Sequence, residues 1–163
     1  MDTETAVEKP DVQVQDEKNA EKKLMDPWDF LLTFPNAPTK ATVEAWKKQA
    51  PNGIIRLFAP GNGKRVYLVR GISGTELKGI QSQIPDNLGA NLAPEARAAK
   101  VEGELSVLVA SKCVVWTNTV DGKLTKEQLE LGSAGLPSTL FNIIMYLSDF
   151  LDPSSLELMS VEL

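Results

Sequence analysis

The stretch SAGLPSTLFNIIMYLSDFL, Ser133 to Leu151, decides how this chain must fold. Gly135-Leu136-Pro137 reads as a turn, and Pro137 suits the first turn of a helix. Ser138 or Thr139 is then placed to cap the free amides. Leu140, Ile143, Ile144, Leu147 and Leu151 recur at the three-and-four spacing of one helix face. Phe141, Met145, Tyr146 and Phe150 widen that stripe almost all the way round. A helix this apolar needs cover on several sides, from its own core or from a partner. It is interrupted by Asp149 and falls short of the roughly 20 apolar residues that span a bilayer.

The rest of the chain has the composition of an ordinary globular protein. Of its 163 residues 42% are hydrophobic and 24% charged, enough for one domain with a modest core. Seventeen basic residues against 22 acidic ones give a net charge of -5, and the pI is about 4.8. Nucleic acid is a poor partner for that balance, because phosphate binding needs a concentrated basic face. No apolar signal region is expected in residues 1–23, and a single cysteine, Cys113, fits a reducing cytoplasm. The chain has no histidine. That removes the usual general base, the commonest neutral zinc ligand and every Ser-His or Cys-His pair.

Residues 1–24 are rich in Glu, Asp, Lys and Gln and poor in large apolar side chains. They read as a disordered or loosely helical acidic tail, the alternative being an arm that folds on a partner. A single α+β domain is expected over 25–163. Trp28, Phe30, Leu31, Leu32 and Phe34 open it as an apolar cluster closed by Pro35 and Pro38, more simply the edge of a core than a set of partner anchors. Thr39 caps a helix through Ala50, with Val43 and Trp46 inward and Glu44 spaced to pair with Lys48. Residues 54–59 and 65–70 flank Asn62-Gly63 and read as a β-hairpin. Arg56 and Arg65 alternate with apolar neighbours, so one hairpin face is expected on helices and the other toward solvent or a partner. Gly61-Asn62-Gly63-Lys64 is not a phosphate loop, since Phe58 and Arg65 stand where that motif needs Gly and Ser or Thr.

Ser73 and Glu76 form a capping box before a helix carrying Leu77, Ile80 and Ile84. Pro94 starts the longest helix, predicted to run to about Trp116, with Ala98, Val101, Leu105, Leu108, Val109 and Cys113 on its inner face. Val114-Val115-Trp116 is read as the end of that helix rather than a strand, and Gly103 as a possible close contact. Glu95, Glu102 and Glu104 are a solvated outer face. Thr125 and Gln128 make a second capping box, and Asp121-Gly122 a turn. After Asp152-Pro153, Ser154 caps a last helical piece with Leu156, Met159 and Leu163 on one side. The expected fold is therefore α+β: mostly helical, with one hairpin and five to six helices. No metal cluster, nucleotide fingerprint, nucleophile elbow or paired-acid motif appears, so no catalytic, cofactor or metal site is predicted.

One ordered constellation resembles a family. Trp46-Lys47 lies in a capped helix ahead of a hairpin that ends in Tyr67-Leu68-Val69-Arg70-Gly71-Ile72-Ser73, with Glu76 following. Cys113-Val114-Val115-Trp116 and Ala134-Gly135-Leu136-Pro137-Ser138-Thr139-Leu140 come next, and Ser148-Asp149-Phe150 closes the late helix. This layout is similar to the small tail assembly chaperones of contractile-tailed bacteriophages over about Val43 to Phe150, with Ile72 where the family pattern has leucine. The resemblance implies a non-enzymatic protein of the host cytoplasm that coats and solubilises the tape-measure protein. Its apolar helices would be held by Leu140, Ile144, Leu147, Leu156 and Met159. The alternative is a structural baseplate or tail subunit retained in the virion, self-associating through the same surface. An enzyme using the loop Asp86 to Ala93 as a lid is the weakest reading. No nucleic acid, membrane or cofactor is expected.

Overall fold

The computed structural model describes residues 25–61, 63–149 and 160–163; the tail expected over 1–24 and the segment holding Leu156 and Met159 lie outside them. The architecture is α+β, with six helices and an antiparallel sheet of four strands among the described residues. In chain order the elements are α1 (Pro27–Leu31), α2 (Lys40–Gln49), β1 (Ile55–Phe58), β2 (Tyr67–Arg70), α3 (Gly74–Gln81), α4 (Pro94–Cys113), β3 (Val114–Thr117), α5 (Lys126–Leu131), α6 (Leu136–Leu147) and β4 (Val161–Glu162).

Local chemistry explains most helix starts. Asp26 accepts the Trp28 amide at 2.8 Å, Thr39 accepts Thr42 at 3.2 Å, and both capping boxes close, Ser73 with Glu76 and Thr125 with Gln128. Two expectations shift. Glu44 pairs with Lys47 at 3.2 Å, one position before Lys48. The residue capping α6 is Gly135, so Ser138 and Thr139 already lie inside the first turn, too late to cap it. The Thr139 hydroxyl instead donates to the Gly135 carbonyl at 2.8 Å.

The hairpin forms as predicted, with Ile55 opposite Arg70 and Phe58 opposite Tyr67. The sheet, however, is larger than a hairpin, in the order β3-β2-β1-β4. The first helix-end expectation is corrected here: α4 stops at Cys113, and Val114–Thr117 pairs with β2. Two valines, a tryptophan and a threonine are better strand than helix formers, and the outer edge of β2 offers them backbone partners. Residues 161–162 likewise form a strand on the other edge of the hairpin, where a helical piece ending at Leu163 was expected. The Leu163 amide extends this pairing by donating to the Ile55 carbonyl at 3.1 Å.

Both faces of the sheet are covered, which corrects the expectation of one open face. On one side Phe58, Tyr67, Val69 and Val114 join Ile80, Val109, Cys113, Leu129, Leu140, Ile143, Ile144 and Leu147. On the other, Ile55, Leu57, Val66, Leu68 and Trp116 pack under Leu31 and Val43, with Trp28, Phe30, Phe34 and Trp46 at the margin. Arg56 is consequently buried, its Nε donating to Ser160 Oγ at 2.8 Å. The register of β3 shifts between its pairings with Leu68 and Val69, leaving Val115 as the extra residue of a bulge. Without it Val114 and Trp116 would share a face; with it they serve opposite cores.

Gly103 faces open space rather than a close contact. Gly122 is the constrained glycine. It has φ +68°, and a Cβ there would stand 2.9 Å from Cδ1 of Trp116. Gly122→Ala should therefore lower unfolding free energy by about 1–3 kcal/mol, read as a reduced urea midpoint, because backbone strain and a rigid indole clash act together.

Candidate functional site

Part of the constellation behind the family resemblance, Arg70, Gly71, Ile72, Ser73, Glu76 and Ser148, meets at one end of the sheet. Arg70 donates to both carboxylate oxygens of Glu76, at 3.1 and 2.8 Å, and to the Gly71 carbonyl at 2.9 Å. Glu76 also accepts the Ser73 amide at 3.1 Å, so a single carboxylate joins strand end and helix cap. The Arg70 hydrogen bonds pull the Glu76 pKa down to about 2, against the upward push of burial. Cys113 lies close enough to feel both charges, yet burial pushes its thiol up to about 12. It is a neutral core residue, as its sequence context suggested.

The C-terminus of α6 docks on the same turn. Ser148 Oγ accepts the Ile72 amide at 2.7 Å and donates to the Ile144 carbonyl at 2.6 Å, while the Asn52 side chain donates to the Leu147 carbonyl. A Cβ on Gly71 would approach Ser148 Oγ to 3.1 Å, so the glycine permits this close seat. These polar groups satisfy one another, which makes the cluster a fastening rather than a reaction centre.

Leu140 and Ile144 are 0% exposed and Leu147 3% exposed. The structure brings these three together, but inside the chain's own core and not on a surface a partner could reach. Among the described residues no group of three or more His, Cys, Asp or Glu side chains could hold a metal ion. No described helix is long and apolar enough to cross a membrane. Glu104 is paired with Lys126, which also lies 3.7 Å from Glu130, in keeping with a solvated charged face.

Two concave surfaces stand out among the described residues. The first, about 540 Å³, runs along the N-terminal half of α4 beside the loop over 85–93. Leu92, Ala98, Val101 and Leu105 line it, with Arg97 and Glu102 at its sides. Sequence periodicity places Ala98, Val101 and Leu105 on an inner face, but among the described residues Ala98 is exposed, and Leu92 is 41% exposed. Arg97 donates to the Asp86 carbonyl at 2.5 Å, tying the loop to the helix.

The second, about 810 Å³, lies between the sheet and the start of α6. Phe58 and Tyr67 line it with ring centroids 6.1 Å apart and planes at 27°. Leu124, Leu131 and Leu136 add apolar wall, and Arg65 and Glu127 stand at its margin. Burial raises the Tyr67 pKa, the Arg65 charge offsetting it in part. Thr117 also lines this groove; its Oγ1 is buried without a hydrogen-bond partner, which costs about 1–3 kcal/mol. Sequence reasoning missed Thr117 because its strand was read as a helix end. The β-forming run Val114–Thr117 was the available signal.

Comparison of the chain with protein-family models, with curated proteins and with solved structures returns no match.

Two measurements separate fastening and core from binding surface. Ile144→Ala should cost about 2–5 kcal/mol in unfolding free energy, as a buried residue does. Glu76 has a depressed pKa, so its contribution is present above the unfolded value of about 4.3 and fades as pH falls from about 5 toward 2. Glu76→Gln should therefore lower the melting temperature at pH 7 and flatten its pH dependence across that window.

Proposed function

We propose that this chain is a non-enzymatic morphogenesis protein of bacteriophage tails, similar in role to a tail assembly chaperone. It would hold amphipathic helices of the tape-measure protein in solution until the tail tube takes them up. The single observation that carries this reading is the apolar groove, part-exposed among the described residues, along the N-terminal half of α4. Ala98, Val101 and Leu105 border it at helical spacing, with Leu92 of the preceding loop beside them, in a helix whose later half is packed into the core. A second helix laid along that groove would bury those side chains by ordinary ridge-and-groove packing. Arg97 and Glu102 beside it offer one charge of each sign for orienting such a partner. The net charge of -5 supports the same role by keeping free copies apart. The order of motifs from Trp46 to Asp149 adds the family resemblance, and the missing histidine leaves acid–base catalysis without its usual group.

The contact surface in this reading moves from Leu140, Ile144 and Leu147 to α4. Val101→Glu places a charge in the groove at a half-buried position outside the two cores. Co-expression with the tape-measure protein should show that partner in the pellet with Val101→Glu and in the supernatant with the unaltered chain. Circular dichroism should give both chains the same helical content. A partner that stays soluble with the variant would remove α4 as the docking face. Mass spectrometry of lysate and of density-purified particles tests the role itself: abundance in the lysate with absence from particles is expected. Fixed stoichiometry in particles would make the chain a structural tail or baseplate subunit instead.

A further inference from the structure

The turn between α2 and β1 lines neither groove, so its chemistry is independent of the tail-assembly reading. It holds Asn52-Gly53. An asparagine amide is lost most easily before glycine, because no side chain hinders the glycine nitrogen. Asn52 is exposed to water, and Gly53 has φ +73°. Every atom that the loss requires is nevertheless engaged. Asn52 Nδ2 donates to the Leu147 carbonyl, and Oδ1 accepts the Ile54 amide at 3.2 Å. The Gly53 amide donates to the Ala50 carbonyl at 3.1 Å. The first of these bonds ends on the last residue of α6, whose neighbour Ser148 is itself held by the Ile72 amide at 2.7 Å.

We propose that Asn52 is a deamidation site guarded by the end of α6. Docked, the helix end keeps the amide from reacting; lifted, it releases the amide, and the product cannot fasten α6 again. In the reaction the Gly53 backbone nitrogen gives its proton to water and attacks Cγ of Asn52, forming an N–Cγ bond. The Cγ–Nδ2 bond breaks, and Nδ2 leaves as ammonia. Water then adds to either carbonyl of the resulting cyclic imide and opens it to aspartate or isoaspartate. Nothing is oxidised or reduced, and water is the co-reactant. While Nδ2 is held on Leu147 and the Gly53 amide on Ala50, the nitrogen cannot swing onto Cγ without losing both bonds. Lifting one helix end is a local opening, easier than unfolding the whole chain. Conversion then removes the donor that the Leu147 carbonyl needs, since a carboxylate only accepts hydrogen bonds. Ammonia is not regained, so the change runs one way.

The second Asn–Gly pair of the chain, Asn62-Gly63, is the internal comparison. The full chain is incubated at mildly alkaline pH, folded and in urea, and both sites are followed by peptide mass spectrometry. In urea both should deamidate; in the folded chain Asn52 should react at least about tenfold more slowly than in urea. Ser148→Ala removes the bond to Ile72 and leaves Asn52 untouched. It should speed Asn52 roughly fivefold and leave Asn62 unchanged. Leu31→Val, which loosens the other core, should not speed Asn52. Asn52→Asp, the product made directly, should exchange its Ile72 and Ser148 amide hydrogens faster, with α3 unchanged. No reaction at Asn52 in urea, or equal rates there in folded and unfolded chains, overturns the site or its protection. Equal acceleration by Ser148→Ala and Leu31→Val, or none by Ser148→Ala, overturns the guarding by α6. Unaltered exchange at Ile72 and Ser148 in Asn52→Asp overturns the release.

Discussion

The structure depends on burying α6. Leu140, Ile143, Ile144 and Leu147 are all fully or almost fully enclosed, and Phe141, Met145 and Tyr146 pack at the edge of the same core. A helix with so little polar surface gains its stability from the surfaces it meets, not from propensity. It lies on the C-terminal half of α4 and across β2, and its last turn is fastened by Ser148 to Ile72 and by Asn52 to the Leu147 carbonyl. Once one sheet face is committed to α6, the apolar residues on the other face need separate cover. The N-terminal aromatic cluster and α2 supply it, packed over Ile55, Leu57, Leu68 and Trp116.

That two-sided burial makes the bulge at Val115 consequential. A regular strand entering straight from α4 would send Val114 and Trp116 to one side. The extra residue divides them between the cores and turns Thr117 back toward the α6 side. The buried, unpartnered hydroxyl of Thr117 is therefore a product of strand register, as is the pairing of the aromatic rings beside it. Bulges commonly re-aim a side chain next to a functional surface.

Polar groups in this protein divide into those that fasten and those left available. Arg70, Ser73, Glu76, Ser148 and Asn52 spend their hydrogen bonds on one another or on backbone, holding strand, helix caps and α6 in register. They are the residues that look most like a motif in the sequence, and their work is architectural. The part-exposed apolar surface is quieter in sequence: an alanine, a valine and a leucine along α4, with Leu92 of the preceding loop beside them.

The sequence by itself determined the local events. Capping boxes at Ser73 and Thr125, the cap at Thr39, the hairpin around Gly61 and Gly63 and the apolar face of α6 all follow from residue types at short spacing, and all are present. Burial of Cys113 followed from the same periodicity. Tertiary structure alone decided the rest. A run such as Val114–Thr117 satisfies either a helix end or a strand, and the choice fell to an open strand edge supplied by residues about fifty positions earlier. Ala98, Val101 and Leu105 carry the same three-and-four spacing as the buried half of α4, but spacing states only that a face is apolar. Whether a neighbour covers that face depends on where distant elements pack, so an internal core and a waiting partner surface read alike until the fold is known.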